Sequence, residues 1–155
     1  MTEFIYLASQ SPRRSQLLQQ LNVRHELLLP NVAGDVVEDA EAIEAVLPHE
    51  APRSYVQRVT GLKLDAAAAR LARRGLPLAP VLTSDTTVAL GQEILGKPAD
   101  AAQAQAMLRK LSGQTHEVLT AVALQNGVQR LQALSVSKVR FMVMSDAQID
   151  AYVAS

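Results

Sequence analysis

Two adjacent arginines at the start of a predicted helix are the residues with the clearest chemical potential in this sequence. Phe4–Leu7 is a short apolar run typical of a buried strand, and Ser11 and Pro12 are residue types preferred at an N-cap and at the first helical position. Arg13 and Arg14 follow in the first turn, where a helix already presents free N–H groups and about half a positive charge. Such a concentration of positive charge favours a bound anion, and phosphate fits it best, although solvated surface arginines are the alternative interpretation.

An aspartate inside an apolar run is the second candidate for chemistry. Asp85 lies between Leu82 and Val88, in a stretch typical of a strand that emerges from the core. Catalytic groups are common at such places in α/β sheets, and a carboxylate there can bind Mg²⁺ or activate water. A structural Asx turn or strand-end cap is the alternative interpretation of a single aspartate.

Two isolated lysines supply further positive charge. Lys97 lies between Gly96 and Pro98 on a predicted loop, and Lys63 lies on a predicted helix otherwise rich in arginine. Either lysine alone is typical of an ordinary surface. Together with the arginine pair and Asp85, they form a set suited to hold a polyphosphate and to manage a metal ion and water. The sequence has no Walker-type loop and no GxGxxG motif, so P-loop and Rossmann sites are excluded.

The overall composition limits the classes of protein that this chain can represent. Of its 155 residues, 48% are hydrophobic and 19% are charged, as in one globular domain. The 15 Lys and Arg residues equal the 15 Asp and Glu residues, so the broad basic surface of a nucleic-acid binder is absent. No run approaches the roughly 20 apolar residues of a membrane span, and no signal peptide is recognisable, so we expect a cytoplasmic location.

The remaining pattern predicts alternating strands and helices. The first helix carries Leu17, Leu18 and Leu21 on one face. After it, an extended run covers 24–29 and an acidic, lid-like segment covers 31–50. We then expect a helix over 52–74, a strand over 81–90 with polar residues in its middle, and a return strand at 94–95. A helix over 100–111, a hairpin and a final helix over 147–153 follow. This order predicts an α/β fold with a mixed sheet.

The motifs that contain these residues resemble the Maf family of nucleoside triphosphate diphosphatases. They are SPRR at 11–14, SDT at 84–86, GKP at 96–98 and LSG at 111–113, within a similarity that covers nearly the whole chain. The resemblance implies a mixed, twisted β-sheet flanked by helices, with two lobes around a cleft. It implies hydrolysis of a nucleoside triphosphate to the monophosphate and pyrophosphate with a divalent cation, Mg²⁺ or Mn²⁺. SPRR together with SDT is similar to the branch of the family that acts on dTTP and UTP.

The resemblance also implies roles for individual residues. Asp85 is the expected general base and metal ligand, and Arg13 and Thr86 match positions linked to substrate choice. The residues expected to bind phosphate or to line the site are Ser9, Ser11, Arg13, Arg14, Lys63 and Lys97. The family's acidic position after the second strand falls on either Asp35 or Glu38.

The C-terminal end of the sequence departs from the family pattern. Family members continue past the YVAS motif at 152–155 into a further segment that supplies a lysine and a glutamine linked to specificity. We therefore expect a single Maf-like domain over 1–155 that is incomplete at its C-terminus, poorly stable alone or paired with another chain. Homodimers are common in the family, so a second copy of the chain is one candidate partner. Two alternatives to the enzyme stay open: a non-catalytic nucleotide-binding or septum-formation regulatory protein, and an inactive truncated remnant.

Overall fold

The computed structural model describes residues 3–155, in which short strands and helices alternate before a long hairpin. In chain order the elements are β1 (Ile5–Leu7), α1 (Pro12–Gln20), β2 (His25–Leu27), α2 (Ala40–Glu44), α3 (Pro52–Arg74), β3 (Val81–Leu90), β4 (Glu93–Leu95), α4 (Ala101–Leu111), β5 (Thr115–Asn126), β6 (Gln129–Arg140) and α5 (Asp146–Ala154). The predicted helix over 52–74 is confirmed at both ends. The polar residues in the middle of β3 do not interrupt the strand.

A six-stranded mixed sheet forms the centre of the fold. Its strand order is β2-β1-β3-β5-β6, and β4 pairs with β3 outside this path. β1 is parallel to β2 and β3, whereas β5 is antiparallel to both β3 and β6. This mixed sheet flanked by helices confirms the predicted fold class.

The edge of β3 that carries β1 has a gap in its middle. β1 pairs with Val81 and Leu82, and β4 pairs with residues 88–90. Between these pairings, residues 83–87 have no strand partner on that edge within the part of the chain that the structure describes. Because β1 runs parallel to β3 and β4 runs antiparallel to it, their carboxyl ends point toward each other across the gap. The loops that follow β1 and β4 therefore converge on the middle of β3.

One face of the sheet is covered by α3, which packs against β3 and β5. Pro52 stands at its first turn, where the missing N–H costs nothing, and Gly75 ends it with a φ of 60°. Two core clusters form along this face. In one, Leu64, Ala67 and Leu71 pack with Tyr6, Leu28, Val81 and Ala123; in the other, Val56 packs with Ala89, Leu119 and Ala121.

The predicted apolar face of α1 is largely exposed. Leu17 is 56% exposed and Leu21 is 71% exposed, and no residue of α1 is buried. The neighbouring strands β1 and β2 are only three residues long, so they offer little apolar surface to cover the helix. Ser11 occupies the N-cap position, but its side chain makes no capping hydrogen bond.

The acidic segment at 31–50 is tied to α3 by ion pairs. Asp35 accepts hydrogen bonds from Arg73 and Arg74, and Glu38 accepts two from Arg70 at 2.8 Å. Further along, Glu50 pairs with the guanidinium of Arg58, and α2 lies between these two attachments. Five large apolar residues of the segment are exposed, so these polar contacts are its main attachment: Val32, Val36, Val37, Val46 and Leu47.

The C-terminal half consists of the hairpin and two helices. The predicted hairpin is present, but its two turn residues are Gly127 and Val128, because Asn126 is still a strand residue that pairs with Gln129. Gly127 has a φ of 62°, and the two strands pair over twelve residues each. Ser145 and Gln148 form a capping box at the start of α5. No helix within residues 3–155 is long and apolar enough to cross a membrane.

Candidate active site

Asp85 lies in the middle of β3, at the gap in the strand edge, and contacts Lys63 of α3. Lys63 Nζ donates a hydrogen bond to Asp85 Oδ1 at 3.0 Å. The Asp85 side chain is 16% exposed and that of Lys63 is 26% exposed, so the pair is sheltered but reachable from solvent. One turn earlier on α3, the carbonyl of Thr60 accepts a hydrogen bond from Thr83 Oγ1, which fixes the helix against the strand.

Arg14 reaches the same part of β3 from the start of α1. Its Nη1 donates to Oγ of the buried Ser9 at 3.1 Å, and its Nη2 donates to Thr86 Oγ1 at 3.5 Å. Burial lowers the pKa of the Arg14 guanidinium, and the charge of Asp85 acts in the opposite direction. Arg14 and Asp85 are therefore within electrostatic reach of each other.

Ser9 and Ser11 form the loop that leads into α1. The backbone N–H of Ser11 donates to Ser9 Oγ at 3.2 Å, and the same oxygen accepts the hydrogen bond from Arg14. The register of β1 carries this loop along the edge of β3 toward Ser84. The structure thus gathers Ser9, Ser11 and Arg14 at the gap.

Arg13 and Lys97 stand apart from these contacts. Both side chains are exposed, and neither has a hydrogen-bond or ion-pair partner among residues 3–155. Lys97 follows Leu95, which pairs with Val88, so the direction of β4 brings Lys97 toward Thr86. Neither cation contacts Asp85 within the described residues.

A carboxylate that the sequence analysis does not single out also contacts Lys63. Glu44 Oε1 lies 3.2 Å from Lys63 Nζ, and the Glu44 backbone carbonyl accepts a hydrogen bond from the Tyr55 hydroxyl. Burial raises the pKa of Tyr55, and the negative charges of Asp85 and Glu44 add to this effect. Glu44 is one of many acidic residues in its segment, and no sequence spacing connects it to Lys63, so only the fold reveals the contact.

The two candidates for the family's acidic position lie elsewhere. Asp35 and Glu38 contact arginines at the C-terminal end of α3, and Arg70 is seven residues, about 10 Å along the helix, from Lys63. The hydrogen bonds from these arginines lower the pKa of both carboxyls. In this structure both residues anchor the acidic segment rather than line the gap.

The donor set fits a divalent cation that arrives with phosphate. Within residues 3–155, no three His, Cys, Asp or Glu side chains are grouped to hold a metal ion. Lys63 contacts only Oδ1 of Asp85, and Oδ2 has no hydrogen-bond partner in that part of the chain. Mg²⁺ is typically bound by one or two carboxylates together with substrate phosphates, which is the arrangement that Asp85 can offer.

Two surface cavities lie apart from the contacts of Asp85, although the candidate residue Lys97 lines one of them. One, of about 360 Å³, is lined by Gly113 and residues 140–143, and the other, of about 240 Å³, is lined by Lys97, Met107 and Lys110 among others. Neither is lined by Asp85, Lys63 or Arg14. The candidate site is therefore defined by charge and contacts at the gap, and the cleft between two lobes stays a prediction.

Comparison with known proteins places the chain among relatives of similar sequence and fold. A family model described as Maf-like protein matches residues 4–155. The dTTP/UTP pyrophosphatase of Albidiferax ferrireducens is 67% identical over 155 residues, which cover 100% of this chain and 76% of that protein. The dTTP/UTP pyrophosphatase of Polaromonas sp. is 63% identical over 153 residues, which cover 99% of this chain and 74% of that protein.

A solved structure extends the comparison to the fold. The Ham1 protein of Staphylococcus aureus matches with a TM-score of 0.54 and 14% identity, over 88% of this chain and 70% of that one. At this identity the match shows a shared fold only. The family model accounts for nearly every described residue, and the relatives match along the whole chain. The chain therefore belongs to the Maf-like protein family.

Proposed function

We propose that this protein is a nucleoside triphosphate diphosphatase that hydrolyses dTTP and UTP to the monophosphate and pyrophosphate. The observation that carries the proposal is the contact of Asp85 with Lys63, beside Arg14, at the gap in β3. The two relatives at 67% and 63% identity, both named dTTP/UTP pyrophosphatase, support the choice of substrates. They favour an enzyme over a non-catalytic regulator or an inactive remnant.

The cations around the gap suit a triphosphate. Hydrogen bonds to Ser9 and Thr86 already orient Arg14. The side chains of Arg13 and Lys97 are exposed and have no partner within residues 3–155, so they are available to a bound anion. The N-terminal N–H groups of α1 add a partial positive charge near the same point. These groups bind the phosphates and hold the chain of phosphorus atoms in one orientation for attack.

Asp85 acts as the general base in this proposal. Lys63 holds its Oδ1, so the free Oδ2 is oriented to accept a proton from a water molecule. The water oxygen forms a bond to the α-phosphorus, the bond from that phosphorus to the bridging oxygen breaks, and pyrophosphate leaves. The proton passes to Asp85, and the products are one nucleoside monophosphate and one pyrophosphate.

A divalent cation, Mg²⁺ or Mn²⁺, completes the proposed site. Asp85 and phosphate oxygens would bind this cation, and the cation would neutralise the charge that develops on the leaving pyrophosphate. Arg13 and Thr86 are proposed to influence which nucleotide is accepted, since Thr86 contacts Arg14 and shares a hydrogen bond with Thr120. The substrates are metabolites of the cytoplasm, which is the proposed location.

The inorganic product tests this proposal. The protein is incubated with Mg²⁺ and, separately, with dTTP, UTP, dATP and GTP, and both pyrophosphate and orthophosphate are measured. We expect pyrophosphate in amounts equal to the monophosphate, with dTTP and UTP the fastest substrates. Orthophosphate as the sole inorganic product would reject the reaction, and equal rates for all four nucleotides would reject the specificity.

A further inference from the structure

Glu44 places a second carboxylate in the proposed phosphate site, and the reaction described above gives it no role. Glu44 Oε1 lies 3.2 Å from the Lys63 ammonium, which also donates to Asp85 Oδ1 at 3.0 Å. The Glu44 side chain is 53% exposed, against 16% for Asp85. Of the two carboxylates on Lys63, Glu44 therefore lies on the side that faces solvent, from which a ligand enters.

The backbone around Glu44 is held independently of its carboxylate. The Glu44 carbonyl accepts from the Tyr55 hydroxyl at 2.6 Å, and the Ala45 carbonyl accepts from Arg58 Nη2 at 2.7 Å. No residue of α2 is buried, so no apolar packing depends on the position of the Glu44 side chain. The carboxylate can leave Lys63 while α2 keeps its attachment to α3.

The charges at Lys63 oppose an incoming polyphosphate. One ammonium is shared by two carboxylates, so this group of three side chains has one more negative than positive charge. A phosphate oxygen that approaches Lys63 meets the Glu44 carboxylate, and like charges at hydrogen-bond distances repel strongly in a sheltered site. Both anions cannot contact the exposed side of Lys63 at once.

We propose that Glu44 is a displaceable anion that occupies the place of a substrate phosphate on Lys63 until a polyphosphate replaces it. This proposal rests on the proposed function, because it takes Lys63 as part of the phosphate site. In the unliganded protein Glu44 is a positioning residue that keeps the ammonium between two carboxylates. Upon binding, a polyphosphate with several negative charges takes over the contact, so Glu44 weakens the binding of every anion and favours those of high charge.

The binding of inorganic pyrophosphate to matched variants tests the exchange. Glu44→Gln removes the competing charge, and Glu41→Gln removes the same charge from an exposed position on the same helix, where no side-chain partner is found within residues 3–155. We expect Glu44→Gln to bind pyrophosphate about two- to five-fold more tightly than wild type in calorimetric titrations without metal, the range of a partly exposed ion pair. The Glu41→Gln affinity should stay close to that of wild type.

Two results would overturn the exchange. If Glu44→Gln and Glu41→Gln both bind pyrophosphate more tightly than wild type by the same factor, only the total charge of α2 affects binding. Weaker binding in Glu44→Gln, either without metal or in a repeat with Mg²⁺, would mean that Glu44 assists the ligand instead of competing with it. Glu44→Ala serves as a second variant with the same expectation, and urea denaturation confirms that each variant is folded before titration.

The readout separates this proposal from the proposed function, because pyrophosphate binding requires no turnover. If the wild type releases no pyrophosphate from any nucleotide but Glu44→Gln still binds pyrophosphate more tightly, the reaction is wrong and the exchange stands. If hydrolysis proceeds as expected but the two glutamate variants bind alike, the reaction stands and the exchange is wrong.

Discussion

At the scale of single residues, the fork of the Arg14 guanidinium connects the loop after β1 to the middle of β3. Its two terminal nitrogens donate to different side chains, Ser9 and Thr86, from one planar group. A lysine ammonium carries the same charge but cannot span two such acceptors in a fixed plane. The exact position of the charge, and not its presence alone, is therefore what Arg14 contributes.

Replacing Arg14 by lysine should raise KM for dTTP by about ten-fold, because hydrogen bonds to charged groups are worth roughly 1.5–3 kcal/mol and part of this is lost. Steady-state kinetics with Mg²⁺ measure the effect. Arg24→Lys is the matched control, since Arg24 is exposed and lies outside the gap. If the two variants have the same KM, Arg14 does not orient the triphosphate.

Sequence reasoning finds the residues of the site more readily than their partners. Arg13, Arg14 and Asp85 are recognisable because arginines in a first helical turn and an aspartate in an apolar strand contradict local preference. Glu44 contradicts nothing in its acidic segment, and its contact with Lys63 depends on how that segment folds back on α3. Such a contact has no local signal in the sequence.

At the scale of elements, the acidic segment at 31–50 owes its position to ion pairs with α3. Arg70 is 6% exposed in its side chain and donates to both oxygens of Glu38 and to the carbonyl of Leu28. Hydrogen bonding to Arg70 is the main cause that lowers the pKa of Glu38. A carboxyl with a lowered pKa in the folded state stabilises the fold above its unfolded pKa of about 4.3, and this contribution is lost as the pH falls through the folded pKa.

Arg70→Met should lower the free energy of unfolding by about 2 kcal/mol near neutral pH, because it leaves the sheltered Glu38 carboxylate with only the longer contact to Arg73 at 3.3 Å. The difference from wild type should shrink below about pH 4, where Glu38 becomes protonated in the variant. Urea denaturation at several pH values measures both. Arg53→Met is the control, because the Arg53–Glu117 pair is long and exposed. A difference that does not change with pH would contradict the role assigned to Glu38.

The helices also show where residue patterns suffice and where they fail. The helix over 52–74 is predictable at both ends because Pro52 and Gly75 are strong local signals. The leucines of α1 form an equally regular stripe, but Leu17 and Leu21 are exposed. Burial depends on a partner surface, and the length of β1 and β2 is not encoded in the helix itself.

At the scale of the whole molecule, α3 covers only one face of the sheet. On the opposite face, the pairings of β3, β5 and β6 align Leu82, Leu124 and Leu131 in one cross-strand row, and Leu131 is 67% exposed. The predicted pairing with a second chain, and the predicted low stability of an isolated chain, stay predictions. The α/β class follows from the alternation of elements, whereas the open face and the gap in β3 depend on strand order, which no periodicity in the sequence reveals.

The same strand order also explains how segments that are distant in sequence meet at the candidate site. These segments, 9–14, 44–63 and 84–86, approach one another because β1 ends at the gap in β3 and α3 packs against β3. The net charge of zero leaves no broad attraction for anions, so binding must depend on this local group.

The most direct test of the central claim is the turnover of dTTP by Asp85→Asn. The substitution keeps the size of the side chain and removes the proton acceptor, so kcat should fall by about 10²- to 10⁴-fold. The affinity for dTTP, measured by calorimetry without metal, should stay within a few-fold of wild type. Asp65→Asn, which removes an exposed carboxylate that pairs with Arg130, should leave both quantities unchanged. If Asp85→Asn still hydrolyses dTTP at a rate close to that of wild type, Asp85 is not the general base and the assigned active site is wrong.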